Sequence, residues 1–103
     1  MKIGPFDPLV CVRTVEIPPG NEQAFFEWIR TNRGLRERYG ILMERILRPS
    51  DREGEWLIIT MWESEEAFEK WLVAPEKKGV DSSPGHALVK FGNVKRYDTV
   101  AGY

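Results

Sequence analysis

The strongest constraint on the fold is a run, residues 57–72, in which a strand passes directly into a helix. Residues 57–61 are apolar and rich in β-branched side chains, which is typical of a strand within a sheet. The helix begins at Ser64, whose hydroxyl can accept a hydrogen bond from backbone N–H groups that the first helical turn leaves unpaired. Because no loop separates the two elements, the run predicts helices packed on a sheet.

The helix predicted after Ser64 has a single apolar stripe. Phe68, Trp71 and Leu72 recur with the spacing of one helical face. A group of carboxylates around them points in several directions and is interpreted as a solvated surface: Glu63, Glu65, Glu66 and Glu69. Pro75 should end this helix, because proline lacks the N–H group that a helix interior requires.

The rest of the chain shows further strand and helix patterns. We predict strands at residues 9–17, 41–48, 55–62 and 93–100, and helices at 21–40 and 64–74. The first helix has Asn21 as its N-cap and Gly40 as a left-handed residue at its end. Residues 49–54 form a hairpin loop, and residues 75–92 are a long connection with a short helix begun by Ser83 and Pro84.

The order of elements is βαββαβ, which predicts an α+β, ferredoxin-like fold with a four-stranded antiparallel sheet. Both helices should lie on one face of the sheet. Val10 and Val12 then point to the opposite face, which is too apolar for contact with water, so we predict a homodimer that packs these faces together. RNA-recognition domains share this order, but the third strand lacks their aromatic and basic motif.

Composition indicates one folded domain, residues 1–103, with an extended arm at residues 1–8. The net charge is −1 and both signs are interleaved, so we expect no nucleic-acid partner and no membrane partner. No apolar run reaches the length of a membrane span, and residues 1–8 resemble neither a signal nor a transit peptide. Cys11 is the only cysteine, so no internal disulfide forms, and we predict a cytoplasmic protein.

Residues 60–71, together with the Tyr39-Gly40-Ile41 turn, resemble the antibiotic biosynthesis monooxygenase (ABM) family. The similarity spans roughly residues 9–100 and implies a dimeric α/β barrel. Members of this family include cofactor-independent quinone-forming monooxygenases, haem-degrading enzymes and proteins with no known reaction. The motif therefore indicates the fold more strongly than the reaction.

The haem-degrading branch uses an asparagine on the first strand, a tryptophan on the second helix and a histidine shortly after it. Trp71 matches the tryptophan, but Arg13 stands at the asparagine position. Asp81 occupies the ungapped histidine position, and His86 fits only with an insertion. We therefore expect no haem degradation by this route.

The chain offers few groups for oxygen chemistry. One His and one Cys cannot supply a usual transition-metal ligand set, and no glycine-rich turn suits a dinucleotide, so we predict that no cofactor is used. An oxygenase would then need a phenol, hydroquinone or anthrone that is deprotonated in the pocket and passes its own electron to oxygen. The protein would supply a dry cavity and one base.

Arg13 and His86 are the two candidate chemical groups. Arg13 lies on the apolar face of the first strand, where it could stabilise an anionic substrate. The alternatives are an ion pair with Glu16, Glu44 or Asp98, or the opposite strand register. His86 is the candidate catalytic base, because its unperturbed pKa suits proton transfer near neutral pH. Its alternative is a histidine at a helix start or on the surface.

Four further residues complete the predicted substrate-binding site with Arg13: Trp28, Asn32, Trp71 and Tyr97. The aromatic side chains, with Phe68, could line a slot for a flat ligand or could fill the core. Asn32 could point into the pocket or could bond to the backbone. The leading hypothesis is a cofactor-independent monooxygenase acting on a small aromatic compound, and the alternative is a non-catalytic protein that binds a hydrophobic ligand or haem.

Overall fold

The computed structural model describes residues 8–102, so all but the last residue of the predicted N-terminal arm lies outside the described part. The strands are β1 (Leu9–Glu16), β2 (Ile41–Leu47), β3 (Trp56–Trp62) and β4 (Lys90–Asp98). The helices are α1 (Glu22–Glu37), α2 (Glu65–Leu72), α3 (Pro75–Asp81) and a 3₁₀ helix (Pro84–Leu88). Among residues 8–102, no helix has the length and apolar character needed to cross a membrane.

The four strands form one antiparallel sheet in the order β2-β3-β1-β4, which confirms the predicted ferredoxin-like fold. Leu9 and Val15 of β1 point to the same face of the sheet and are buried. Leu9 packs in a cluster with Phe68 and Trp71 of α2, and Val15 packs with Phe25 of α1. Both long helices therefore cover this one face, as predicted.

The strand-to-helix run has the predicted geometry. β3 ends at Trp62, and the Ser64 hydroxyl accepts a hydrogen bond from the backbone N–H of Ala67 at 3.0 Å. Gly40 has φ of 100°, a left-handed value that residues with a Cβ rarely adopt, and it turns the chain from α1 into β2. Its carbonyl accepts from the N–H of Glu63 at 2.9 Å, which ties this turn to the start of α2.

The connection from 75 to 92 is more ordered than the sequence indicates. Pro75 ends α2 as predicted, but it also begins α3, which the sequence analysis did not predict. Ser83 and Pro84 do begin a short helix, of the 3₁₀ type. β4 begins at Lys90, three residues before the predicted start.

Asn21 precedes α1 as predicted, but its side chain makes no capping hydrogen bond. Its Nδ2 donates instead to the Leu88 carbonyl at 2.8 Å. The residue therefore joins the start of α1 to the end of the 3₁₀ helix, and its side chain does not accept from the unpaired N–H groups of α1.

The second face of the sheet, here the open sheet face, is formed by strand positions that alternate with the buried ones. It includes apolar side chains and a few charged ones: Val10, Val12, Arg45, Leu47, Leu57, Ile59, Met61, Lys95 and Tyr97. The helices lie on the other side, so no helix within residues 8–102 covers this face.

Candidate functional site

A cavity of about 330 Å³ lies between the helices and the sheet. All four strands contribute to its floor, from Glu44 of β2 through Thr60 of β3 and Arg13 of β1 to Phe91 of β4. Its volume lies at the lower end of the range for small-molecule pockets. We call this space the helix–sheet cavity.

The cavity brings together four of the six residues predicted for the site. Arg13, Trp28, Trp71 and His86 line it. Asn32 does not line it: its Nδ2 donates to the Trp28 carbonyl at 2.9 Å, which is the backbone-bonded alternative. Tyr97 does not line it either.

Tyr97 pairs with Val10 in the sheet, and residues directly opposite each other in an antiparallel pair share a face. Its side chain therefore lies on the open sheet face, where Tyr97 is 44% exposed and Lys95 stands 5.4 Å from its ring centroid. The prediction that Tyr97 bounds the cavity is corrected by this register.

Arg13 lies on the helix-facing side of β1, as predicted. Its Nε and Nη2 donate to the Gly92 carbonyl at 3.2 and 3.0 Å, and its guanidinium carbon is 4.5 Å from the Phe91 ring centroid. Within residues 8–102, none of the predicted ion-pair partners, Glu16, Glu44 and Asp98, bonds to it. Burial lowers the pKa of Arg13 and the nearby Asp81 carboxylate raises it, so the group stays a cation.

His86 occupies the mouth of the cavity on the 3₁₀ helix, with its side chain 39% exposed. Its ring lies 4.8 Å from the Phe91 centroid and meets Trp28 edge-on at 6.0 Å. Its Nε2 is 3.9 Å from Oδ1 of Asp81, whose other oxygen pairs with Lys77. The single imidazole of the chain therefore has a carboxylate and two aromatic walls around it.

Trp28 fixes the 3₁₀ helix to α1. Its Nε1 donates to the Ser83 hydroxyl at 2.7 Å. Gly85 passes so close to the indole that a Cβ there would stand 2.0 Å from Cδ1 of Trp28. The position of His86, one residue further on, thus depends on this contact.

The α2 side of the cavity is aromatic. The Trp62 ring lies 5.2 Å from Phe68 and stacks at 6.3 Å on Trp71, which also contacts Tyr39 at 5.5 Å. All three residues of the Trp62 group are buried, so they fill the core and present one surface to the cavity. These side chains therefore both fill the core and line the cavity, so the two roles considered from the sequence are not exclusive.

The cavity wall includes Arg36, which the sequence does not single out, and Glu44, which the sequence analysis considered only as a partner of Arg13. Nη2 of Arg36 donates to Oε1 of Glu44 at 3.0 Å and to the Ile29 carbonyl at 2.9 Å. Arg36 follows Ile29 by seven residues and Trp28 by eight, so helical spacing alone would have put it on the buried stripe. We overlooked it because a charged residue is usually assigned to the solvent side.

Cys11 also lines the cavity as a buried free thiol. Burial raises the pKa of Cys11, and a hydrogen bond with Thr60 opposes part of that rise. The thiol is therefore neutral at physiological pH and a poor nucleophile.

Comparison with known proteins gives a match to the family model "Antibiotic biosynthesis monooxygenase" over residues 8–79. A relative from Mycobacterium tuberculosis, "Heme oxygenase (mycobilin-producing)", is 29% identical over 69 residues, which is 66% of this chain and 66% of the relative. The match thus spans just under two thirds of that relative's length.

Solved structures with the same fold include the heme-degrader MhuD from Mycobacterium tuberculosis with two hemes bound in its active site. It has a TM-score of 0.72 and 22% identity over 92% of this chain and 98% of that one. SnoaB, a cofactor-independent oxygenase from Streptomyces nogalater, has a TM-score of 0.73 and 17% identity over 94% and 96% of the two chains. At these identities the likeness shows the fold alone.

Proposed function

Because the chain belongs to the antibiotic biosynthesis monooxygenase family, we propose that it is a cofactor-independent monooxygenase acting on a small aromatic compound. The observation that carries this proposal is the position of its only histidine: His86 lines the same aromatic cavity as the Arg13 cation. A base and a cation facing one apolar space suit a substrate that must lose a proton there. Phenols, hydroquinones and anthrones are the substrate classes.

With a phenol as substrate, His86 accepts the hydroxyl proton. The phenolate transfers one electron to dioxygen, and the aryloxyl radical and superoxide so formed combine in a C–O bond at the para carbon. His86 returns its proton to this peroxide. The ring carbon then loses its hydrogen as a proton while the O–O bond breaks, which gives a quinone carbonyl and one water. The substrate supplies every electron that dioxygen gains.

The surrounding residues lower the cost of these steps. Arg13 stabilises the phenolate, because a cation held in a partly desolvated site acts more strongly than one in water. Asp81 is a positioning residue, since Oδ1 of its carboxylate lies 3.9 Å from Nε2 of His86. The aromatic wall formed by Trp62, Phe68 and Trp71 excludes water from the radical pair.

The direct test is incubation of the protein with a panel of hydroquinones, phenols and anthrones under oxygen, with oxygen uptake and quinone absorbance as readouts. We expect protein-dependent uptake of one O₂ for each quinone formed from a phenol or anthrone. Arg13→Met should mainly raise KM for anionic substrates, and Tyr97→Phe, on the open sheet face, is the matched control that should behave like the wild type. Failure of every compound to turn over would refute the monooxygenase proposal.

Haem binding without degradation is a second candidate, supported by the imidazole of His86 at the cavity mouth and by the haem oxygenase relative. Histidine is the common axial ligand of haem iron, and the aromatic walls suit a porphyrin face. The cavity is small, and its wall residue Arg13 is held in place by two hydrogen bonds to the Gly92 carbonyl. Both features favour a ring system smaller than haem. If haem binds, haemin should give a Soret shift that His86→Ala abolishes.

Adding a reductant to that haemin complex tests degradation. The haem spectrum should decay no faster than in a protein-free control, because Arg13 replaces the asparagine that the haem-degrading branch uses. Stoichiometric, protein-dependent ring opening would contradict this expectation.

We also propose that the protein acts as a homodimer joined through the open sheet faces, and that it works in the cytoplasm. Apolar residues such as Val12 and Ile59 on that face support the dimer. The buried free thiol of Cys11 is compatible with a reducing compartment.

A further inference from the structure

The two ends of the helix–sheet cavity differ in charge. One end, over β1 and β4, holds Arg13 and His86. The other, over β2, holds the Arg36–Glu44 pair. Because Glu44 pairs with Thr60 and Thr60 with Cys11 in the sheet, the Cα atoms of Arg13 and Glu44 are about 12 Å apart by the ordinary strand dimensions.

The Arg36–Glu44 pair is unusually buried for an ion pair. Side-chain exposure is 9% for Arg36 and 10% for Glu44. Both ion pairs of Glu44, with Arg36 at 3.0 Å and Arg33 at 3.9 Å, use Oε1. Within residues 8–102, Nε of Arg36 is buried without a hydrogen-bond partner. The guanidinium and the carboxylate thus retain hydrogen-bonding capacity in a wall that faces the cavity.

We propose that the Arg36–Glu44 pair is a second binding subsite that recognises a neutral hydroxyl group at the far end of the substrate. The proposal rests on the proposed function in taking the Arg13 end as the site of the reacting hydroxyl. A hydroxyl can donate to the free oxygen of Glu44 and accept from the guanidinium of Arg36 at once. A carboxylate can only accept, and it meets the negative charge of Glu44.

The substrate class follows from these two ends and from the space between them. The ligand is a flat, fused aromatic with a reacting hydroxyl at one end and a neutral hydroxyl at the other. The stacked side chains Trp62 and Trp71 contact its apolar middle. A phenol with one ring does not span both ends.

Three naphthalene probes test the subsite by calorimetric titration without oxygen, so that no turnover occurs. They are 2-naphthol, 2,6-dihydroxynaphthalene and 6-methoxy-2-naphthol. The second hydroxyl should tighten binding by about tenfold relative to 2-naphthol, the scale of one hydrogen bond to a charged group. The methoxy probe cannot donate to Glu44 and should bind no better than 2-naphthol.

Glu44→Gln should remove most of this advantage, because it replaces the charged acceptor with a neutral amide. The affinity of the dihydroxy probe should then exceed that of 2-naphthol by less than about threefold. Binding of 2-naphthol at the wild-type level reports that the variant is folded. Glu37→Gln removes the exposed partner of Arg33 outside the cavity and is the matched control that should keep the wild-type order.

Equal affinity of the wild type for 2-naphthol and 2,6-dihydroxynaphthalene would overturn the subsite. An advantage that survives in Glu44→Gln would overturn it as well. If Glu44→Gln does not fold, Arg36→Lys replaces it and should weaken the dihydroxy probe alone. These affinities do not depend on oxygen chemistry, so a protein without turnover can still have the subsite, and an active one can lack it.

Discussion

Single side chains at the cavity mouth carry the proposed proton transfer. Asp81 lies between the Lys77 amine and the His86 imidazole, and its carboxylate also acts on the Arg13 cation. One carboxylate thus lies near three basic groups. Loss of the imidazole removes the base itself, whereas loss of the carboxylate removes only a neighbour of the base.

His86→Ala should lower kcat by about a hundredfold or more, which is the usual scale for loss of a general base. Asp81→Asn should lower kcat less and leave KM unchanged, because the imidazole stays in place and only the carboxylate beside it is lost. Ala87→Ser, on the exposed side of the same 3₁₀ helix, is the control. Steady-state rates across pH measure all three. An unchanged kcat in His86→Ala would remove His86 from the mechanism.

Cys11 gives a prediction about stability and pH. Burial raises the pKa of Cys11 above that of an ordinary thiol, so the folded state keeps a proton that the unfolded chain releases. The contribution of this thiol to the free energy of unfolding should therefore be complete at neutral pH and be lost as the pH rises through the pKa of an unfolded cysteine, about 8.5, and above. Urea denaturation at several pH values measures this fall.

The fall should be smaller in Cys11→Ala than in the wild type, whatever the difference in their stability at neutral pH. The pKa of Tyr39 is raised too, by its hydrogen bond to Glu76, so Tyr39→Phe separates the contribution of that phenol. An identical pH slope in Cys11→Ala and the wild type would contradict the assignment to Cys11.

At the scale of elements, local signals explain what the sequence could predict. Ser64 as a helix cap, Gly40 as a left-handed turn and the strand pattern of 57–61 each act within a few residues, and each was found where expected. Pro75 was interpreted only as the end of α2. Proline also suits the first turn of a helix, and here one residue does both, so α3 was missed.

The site was harder to predict because it depends on register across strands. A bulge in β4 places one extra residue opposite β1: Val15 pairs with Phe91, but Arg13 pairs with Val94. Both Phe91 and Val94 therefore face the cavity, although simple alternation would separate them. No local pattern shows this bulge, and the same uncertainty of register misplaced Tyr97.

The contact between the 3₁₀ helix and α1 can be tested at Gly85. Gly85→Ala places a Cβ against Cδ1 and Cγ of Trp28, and these atoms are too near the backbone to move far. The free energy of unfolding should therefore fall by about 1–3 kcal/mol. Gly79→Ala in α3 is the matched control, because nothing lies within 4 Å of its Cβ. It should leave stability unchanged or raise it by up to about 1 kcal/mol.

Urea denaturation followed by tryptophan fluorescence measures both glycine variants. Gly85→Ala should also weaken ligand binding, since the position of His86 depends on this contact. Equal stability of the two variants would show that the 3₁₀ helix moves freely away from Trp28.

At the scale of the whole molecule, the open sheet face predicts the oligomeric state. A charge at its centre, as in Val12→Glu, should weaken a homodimer by a factor of about a hundred, because an unpaired carboxylate would be buried. Gln23→Glu on the exposed side of α1 adds the same charge away from the sheet. Light scattering over a range of concentrations gives the dissociation constants. A wild-type monomer at micromolar concentration would contradict the dimer, and an intact Val12→Glu dimer would place its interface elsewhere.

The hydrogen bond from Arg13 to Gly92 joins residues 79 positions apart, and those from Asn21 to Leu88 and from Trp28 to Ser83 span 67 and 55 positions. Such distant pairings form late, since the intervening chain loses conformational freedom before the contact forms. During synthesis on the ribosome, the cavity therefore cannot form until β4 has emerged.

A bound aromatic ligand stabilises only the finished domain. The thermal midpoint should therefore rise with ligand concentration, and the rate of the early folding steps should not change.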